Sequence, residues 1–210
     1  AWLSLRGTTP RFGERLRAIR FEGDRAVELD YGDRTEKVGD AAIILAVPPW
    51  VVADLVPDMT VPDRFCAILN AHFAIAPPPG TPPITALLGA TSQWVVAHEN
   101  RVSVTISGAD DIIDLDREGL ARQIWSEVCA TLGISGDLPA WQIVKEKRAT
   151  FAATPAQDAL RPPAQTRWRN LFLAGDWVQN GLPATIEGAL RSGDNAARLA
   201  LGQVPRYRAA

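Results

Sequence analysis

The segment Leu171–Ala174 (LFLA) is a short, wholly apolar run that ends in Gly175-Asp176. The loop WVQNGLP follows, and then a helix is predicted from about Thr185 to Leu201. Strand, glycine, carboxylate, loop and helix start form one chemical unit. Ligands of α/β sheets collect outside the carboxyl ends of strands. At a helix start several N–H groups lack partners, and the macrodipole adds about half a positive charge. A phosphate, or the electron-rich edge of a reduced ring, is stabilised there. Asp176 repels phosphate but accepts hydrogen bonds from hydroxyls. Together these point to a nucleotide carrying hydroxyls and an electron-accepting ring. The same residues also allow a plainer reading, a buried strand–helix unit in which Asp176 caps its own loop.

Other polar groups offer less. His72 and His98 are the only histidines and lie in predicted strands, so a His-rich metal centre is not expected. Ser192 sits in RSGD without a GxSxG elbow, which argues against a hydrolase triad. Lys145, Glu146, Lys147 and Arg148 read as the solvated part of a strand. Trp50, Trp94 and Trp141 read as packing.

The elements that must position these groups follow from pattern. Leu16–Phe21, Ala26–Tyr31 and Thr35–Val38, separated by Gly23-Asp24 and Gly32-Asp33, predict an antiparallel meander with one wet face. Ala41–Val47 (AAIILAV) lacks alternation and is stopped by Pro48-Pro49, the pattern of a parallel strand covered on both faces. Trp50–Leu55 is a short helix. Ala67–Ala76, Ile84–Leu88, Gln93–His98, Val102–Ser107 and Trp141–Phe151 read as strands, with PPPGTPP as a stiff loop. Leu115–Leu132 is helical, with Asp114 or Asp116 as cap and Gly133 just past its end. On the last helix Ile186, Ala189, Leu190, Gly193 and Ala197 share a face. Gly188, Ser192, Gly193, Ala196 and Ala197 are so small that a close neighbour is expected, since each interior Gly costs about 1 kcal/mol relative to Ala.

Composition excludes several classes. The chain has 210 residues, formal net charge −2 and 47% hydrophobic residues, enough apolar content for a sizeable core. A balanced, slightly acidic chain has no electrostatic pull on nucleic acid. Cys66 and Cys129 lie far apart and outside any CxxC pattern, as in a reducing compartment. No run reaches the ~20 apolar residues of a spanning helix. The expected location is the cytoplasm, with peripheral contact to a membrane.

LFLAGDWVQNGLPATIEGALRSGDNAARLA resembles the C-terminal FAD motif of the amine oxidase and phytoene desaturase superfamily. GERLRAI and AAIILAVPP are similar to that superfamily's adenine-contacting strand and its VxxAxPP strand. TPAQDALRPPAQTRWRN, joined to GDWVQNGLPATIEGA, is most similar to the squalene-associated FAD-dependent desaturases, also called hydroxysqualene dehydroxylases. The resemblance implies FAD as cofactor. It places Asp176 at the flavin ribityl or adjacent phosphate, the Ile186 N–H at the flavin C2=O, and Ala184 and Thr185 beside it. It gives the adenine to the backbone of Leu16, and it makes Gly175 the point of close chain approach.

The implied fold is α/β and α+β. Residues 1–60 and 155–210 form part of an FAD-binding parallel sheet with its β-meander. Residues 61–154 form an antiparallel-sheet substrate domain. No GxGxxG occurs in the chain, so the resemblance implies a C-terminal fragment that binds FAD weakly alone, with self-association through apolar surface left uncovered. Amine oxidases of the superfamily carry an aromatic residue where Thr185 stands, so a hydrocarbon fits better than an amine. The implied activity is FAD-dependent reductive loss of a hydroxyl from a squalene-type isoprenoid. The alternatives are a carotenoid-type desaturase, a flavin amine oxidase of the same fold, or a non-enzymatic binding domain. The cofactor motifs specify no proton donor, so the catalytic residues are unknown.

Overall fold

The computed structural model describes residues 3–203. Along the chain run β1 (Ala18–Glu22), β2 (Arg25–Asp30), β3 (Thr35–Lys37), β4 (Ile43–Leu45), α1 (Pro49–Leu55), β5 (Phe65–Phe73), β6 (Ile84–Ala86), β7 (Trp94–Ala97), β8 (Val102–Ser107), α2 (Arg117–Leu132), β9 (Trp141–Phe151), α3 (Pro155–Asp158), β10 (Leu171–Leu173) and α4 (Ile186–Gln203). The chain divides into two compact units, one from residues 1–63 and 153–210, the other Arg64–Ala152.

In the first unit β1, β2 and β3 form the antiparallel meander. β1 starts at Ala18, so Leu16 precedes the strand it was expected to open. The wet face is not distinct: Ala26 is buried and Val27 to Asp30 are all half-buried. Asn170 fastens the meander to the rest of the unit. Its Oδ1 accepts from the Ala26 N–H at 2.9 Å, and its Nδ2 donates to the Ala26 carbonyl at 2.9 Å. Trp168 stacks against Phe21 with ring centroids 4.4 Å apart.

β4 and β10 pair in parallel, as expected for two apolar runs, in register Leu171↔Ile43 to Leu173↔Leu45. They form a two-stranded sheet among the described residues. Residues 171–173 are wholly buried, but Ile44 is 40% exposed, so the expected cover on both faces of β4 is not present. Pro49 at N1 opens α1, where its missing N–H costs nothing.

α4 corrects the expected inward face. Ile186 is 83% and Leu190 66% exposed, whereas Gly188, Ser192, Ala196 and Ala200 are buried. These four recur every fourth residue, and the small Ala196 and Ala200 pack against Phe172 and Ala174. At Gly193, by contrast, an added Cβ would meet nothing within 4 Å.

The second unit is a five-stranded antiparallel sheet, order β6-β7-β8-β5-β9, with α2 on one face. The odd residues of β5, Leu69 to Phe73, pack with Leu120, Ile124, Trp125 and Val128 of α2. Asp116 caps α2 by accepting from the Gly119 N–H at 2.8 Å, and Gly133 ends it at φ +65°. Glu127 on α2 accepts the N–H groups of Thr91 and Ser92 at 2.9 and 2.7 Å. Burial pushes the Glu127 carboxyl up, but those hydrogen bonds outweigh it and hold the group below its ordinary range.

Candidate functional site

The loop between β10 and α4 is built around a side chain that pattern reading passed over. Arg161 is 7% exposed. Its guanidinium donates to the carbonyls of Asp176 (3.0 Å), Trp177 (3.3 Å), Val178 (2.8 Å) and Leu182 (2.9 Å), and to Oδ1 of Asn180 (2.9 Å). Arg161 also forms an ion pair with Asp158 at 3.0 Å. A fork of five fixed donors suits a loop whose carbonyls converge on one point. Only the setting of Arg161, before Pro162-Pro163 in an otherwise apolar stretch, hints at this role in the sequence.

Asn180 carries the order onward. Its Oδ1 also accepts from the Leu182 N–H (2.8 Å), and its Nδ2 donates to the Gly188 carbonyl in the first turn of α4 (2.9 Å). Thr185 is the cap of α4: its Oγ1 accepts from the Gly188 N–H at 3.0 Å, and its carbonyl from Ala189. Gly188 is closely packed: a Cβ would stand 3.1 Å from the Pro183 carbonyl, so the loop would have to give by a few tenths of an ångström to admit one.

Of the six residues singled out in the sequence, Ala184, Thr185 and Ile186 lie together at the opening of α4. Thr185 and Ile186 are exposed and Ala184 is half-buried, so the helix start is open rather than sealed against protein. The one acid in its first turn, Glu187, is engaged by Arg191 at 2.6 Å. Gly175 and Asp176 lie at the end of β10. The Gly175 N–H donates to Ser192 Oγ at 3.1 Å, which ties the strand end to α4 and gives Ser192 a structural role.

Trp177 donates Nε1–H to the Val47 carbonyl at 3.0 Å, which joins the loop to the end of β4. A Cβ on Gly175 would stand 2.5 Å from that same Nε1, and the residue has φ +155°. Gly175→Ala is therefore expected to displace the indole and destabilise the chain by about 1–3 kcal/mol. Urea unfolding of this chain measures it, and a midpoint shift under about 0.5 kcal/mol would contradict the close approach.

Leu16 stands elsewhere in the same unit. It is half-buried and lines a cleft of about 760 Å³ with Glu14, Arg15, Arg17, Val47, Val51, Asp54 and Leu55. Gly175, Asp176 and residues 184–186 are not among these, so Leu16 stands apart from the five that belong to the segment from β10 to α4. Val47 links them, lining the cleft and accepting from Trp177. The chemistry of these residues fits a nucleotide-type cofactor: a helix start left open, a glycine at which a side chain would clash, and a cleft of about 760 Å³.

The family described as flavin containing amine oxidoreductase matches residues 1–201. A hydroxysqualene dehydroxylase of Rhodopseudomonas palustris is 53% identical over 203 residues, covering 96% of this chain and 49% of the relative. A hydroxysqualene dehydroxylase of Sinorhizobium fredii is 51% identical over 202 residues, covering 96% and 48%. The chain thus spans about half the length of the curated relatives it matches. An Exiguobacterium protein described as a protoporphyrinogen oxidase shares the fold, with TM-score 0.64 at 14% identity over 90% of this chain and 47% of that one.

Proposed function

The chain belongs to the flavin containing amine oxidoreductase family, and from that premise we propose that it is the part of a flavoenzyme that closes on the isoalloxazine end of FAD and carries an isoprenoid alcohol. The whole enzyme reductively removes the hydroxyl of hydroxysqualene. The names and the identity of the two dehydroxylases support that substrate. The observation that carries the cofactor reading is the open start of α4, capped by Thr185 and held by the Arg161–Asn180 network.

FAD in its reduced form, when bound, would supply the hydride that forms the new carbon–hydrogen bond, with a proton leaving alongside the hydroxyl as water. The chain's own residues do the rest. The Ile186 N–H faces the flavin C2=O, with Ala184 and Thr185 beside it. Asp176 accepts hydrogen bonds from ribityl hydroxyls. Gly175 lets the backbone come close, and the backbone of Leu16 meets the adenine in the cleft. The unit Arg64–Ala152 is the substrate domain, and the residues outside it, 1–60 and 155–210 in outline, belong to the cofactor domain. An isoprenoid of this size resides in lipid, so this reading puts the enzyme at a membrane surface.

The full-length protein should turn over hydroxysqualene when its flavin is reduced anaerobically, and should leave phytoene and simple amines unchanged when its flavin is oxidised and an electron acceptor is supplied. Turnover of an amine alone, or a colourless protein after purification with FAD, would overturn the reading.

Ile186, Leu190 and Leu201 of α4 are exposed, as is Ile44 of β4. We propose that this chain alone self-associates through them. Light scattering should show a mass that rises with concentration, reduced by Leu190→Glu with Leu201→Glu. A monomer at 100-fold dilution and at high concentration alike would refute the surface's role.

A further inference from the structure

The sheet of the second unit has two unlike faces. One is packed by α2. On the other, the even residues of β5 meet Ser103 and Thr105 of β8 in register: His72 faces Ser103 and Asn70 faces Thr105. Both pairs are hydrogen bonded, His72 Nδ1 to Ser103 Oγ at 2.9 Å and Thr105 Oγ1 to Asn70 Oδ1 at 2.7 Å. The flanking strands contribute mostly apolar side chains to the same rows. Val96 pairs beside Ser103, Trp94 beside Thr105 and Val144 beside Asn70, while the polar Gln142 pairs beside His72. A small polar patch thus sits at the centre of a face with apolar shoulders, and Trp94 and Val144 remain 47% and 41% exposed.

Such a face suits a ligand that is hydrocarbon along its length and polar at one point. Ser103 is 6% exposed and His72 is half-buried, so the hydroxyl of the pair is withdrawn from water while the imidazole keeps one edge open. A polar group taken into such surroundings needs a partner or costs about 1–3 kcal/mol. No hydrogen bond reaches His72 Nε2 among the described residues, and His72 lines an open hollow of about 360 Å³ at the end of the sheet with Phe73, Ala74, Asn100, Arg101, Trp141 and Gln142. Burial, and then the charge of Arg101 and His98, lowers the pKa of the imidazole, so it is neutral near pH 7. A neutral imidazole favours neither a carboxylate nor an ammonium. A hydroxyl, which both donates and accepts, pairs with either tautomer.

We infer that His72, oriented by Ser103, is the specificity-determining hydrogen-bond partner of the single hydroxyl of the isoprenoid alcohol. This rests on the function proposed above and adds the point at which the alcohol is told apart from the hydrocarbon lacking it. A site built to pair a hydroxyl discriminates strongly against the ligand without one, because its own polar group is then left unpaired.

The test uses the full-length holoenzyme and variants His72→Leu, His72→Gln and Ser103→Ala. Flavin absorbance serves as the folding control, hydroxysqualene as substrate and squalene as competitive ligand. His72→Leu should lower kcat/KM for the alcohol about 10–100-fold while squalene binds as tightly or more tightly. His72→Gln should recover most of that loss. Ser103→Ala, which keeps the imidazole but frees it to rotate, should cost about 3–10-fold on the alcohol alone. Equal losses for alcohol and hydrocarbon, or no change for either, would overturn the inference while wild-type turnover leaves the function standing. Wild-type enzyme inert towards the alcohol would overturn both, and that result appears before any variant is made. If His72→Leu does not hold flavin, the Ser103→Ala split between the two ligands decides alone.

Discussion

Arg161→Ala is expected to destabilise this chain by about 3–5 kcal/mol, and the same change in the full-length protein is expected to abolish flavin retention. Four backbone carbonyls and the Asn180 Oδ1 converge on one buried guanidinium. Deleting it leaves several buried acceptors unpaired, and each lost partner costs about 1–3 kcal/mol if nothing moves. The loop will relax instead, which caps the total but spreads residues 176–182 apart. Those residues hold Asp176 at the end of β10 and deliver Asn180 to the first turn of α4. A stability defect therefore arrives together with a binding defect. Arg161→Lys should rescue little, because one ammonium has three donors and cannot span a fork of carbonyls. Urea unfolding of the chain and absorbance of the full-length protein are the two measurements. A variant within about 1 kcal/mol of wild type that still binds flavin would show that the loop holds its shape without the guanidinium.

That network also marks where sequence reading stops. Strong periodic signals were legible. α2 was visible from Leu120, Ile124 and Val128, with Asp116 and Gly133 at its ends, and β8 and β9 fall at Val102–Ser107 and Trp141–Phe151 as expected. These depend on neighbours a few residues apart. Arg161 depends on carbonyls 15 to 21 residues away in a loop with no period. Its partners are backbone atoms, which leave no trace in side-chain identity. The face of α4 failed differently. An apolar stripe at helical spacing gives a direction but not the surface that covers it. In this chain the close contact with β10 selects small residues, so Ala196 and Ala200 turn inward and Ile186 and Leu190 turn out. Of the candidate site, Gly175 and Thr185 were singled out through resemblance to the family motif; the tight approach of Gly175 to the Trp177 indole and the capping by Thr185 emerge only from the structure. Leu16 was placed by resemblance alone, since only its main chain is involved.

Ile186→Pro offers a sharper probe of the helix opening, because it removes a single amide hydrogen and keeps the element. Ile186 is the first residue of α4. At that position proline is tolerated, since the N–H has no partner within the helix and φ near −65° is already helical. The preceding Thr185 caps through its hydroxyl to the Gly188 N–H, a bond the substitution leaves intact. Capping residues take extended backbone, which a following proline permits. The side chain lost is 83% exposed, so Ile186→Ala is the control for its contribution. Unfolding of the two variants should agree to within about 0.5 kcal/mol. In the full-length protein they should part. An N–H aimed at the electron-rich edge of reduced flavin makes a charge-assisted hydrogen bond worth about 1.5–3 kcal/mol. The proline variant should hold reduced flavin about 10–150-fold more weakly than the alanine variant. For a two-electron couple that corresponds to a potential lower by about 30–60 mV. Equal potentials in both variants would mean that the Ile186 amide does not meet the ring, and the cofactor assignment at this helix would have to be withdrawn even if the enzyme remained yellow.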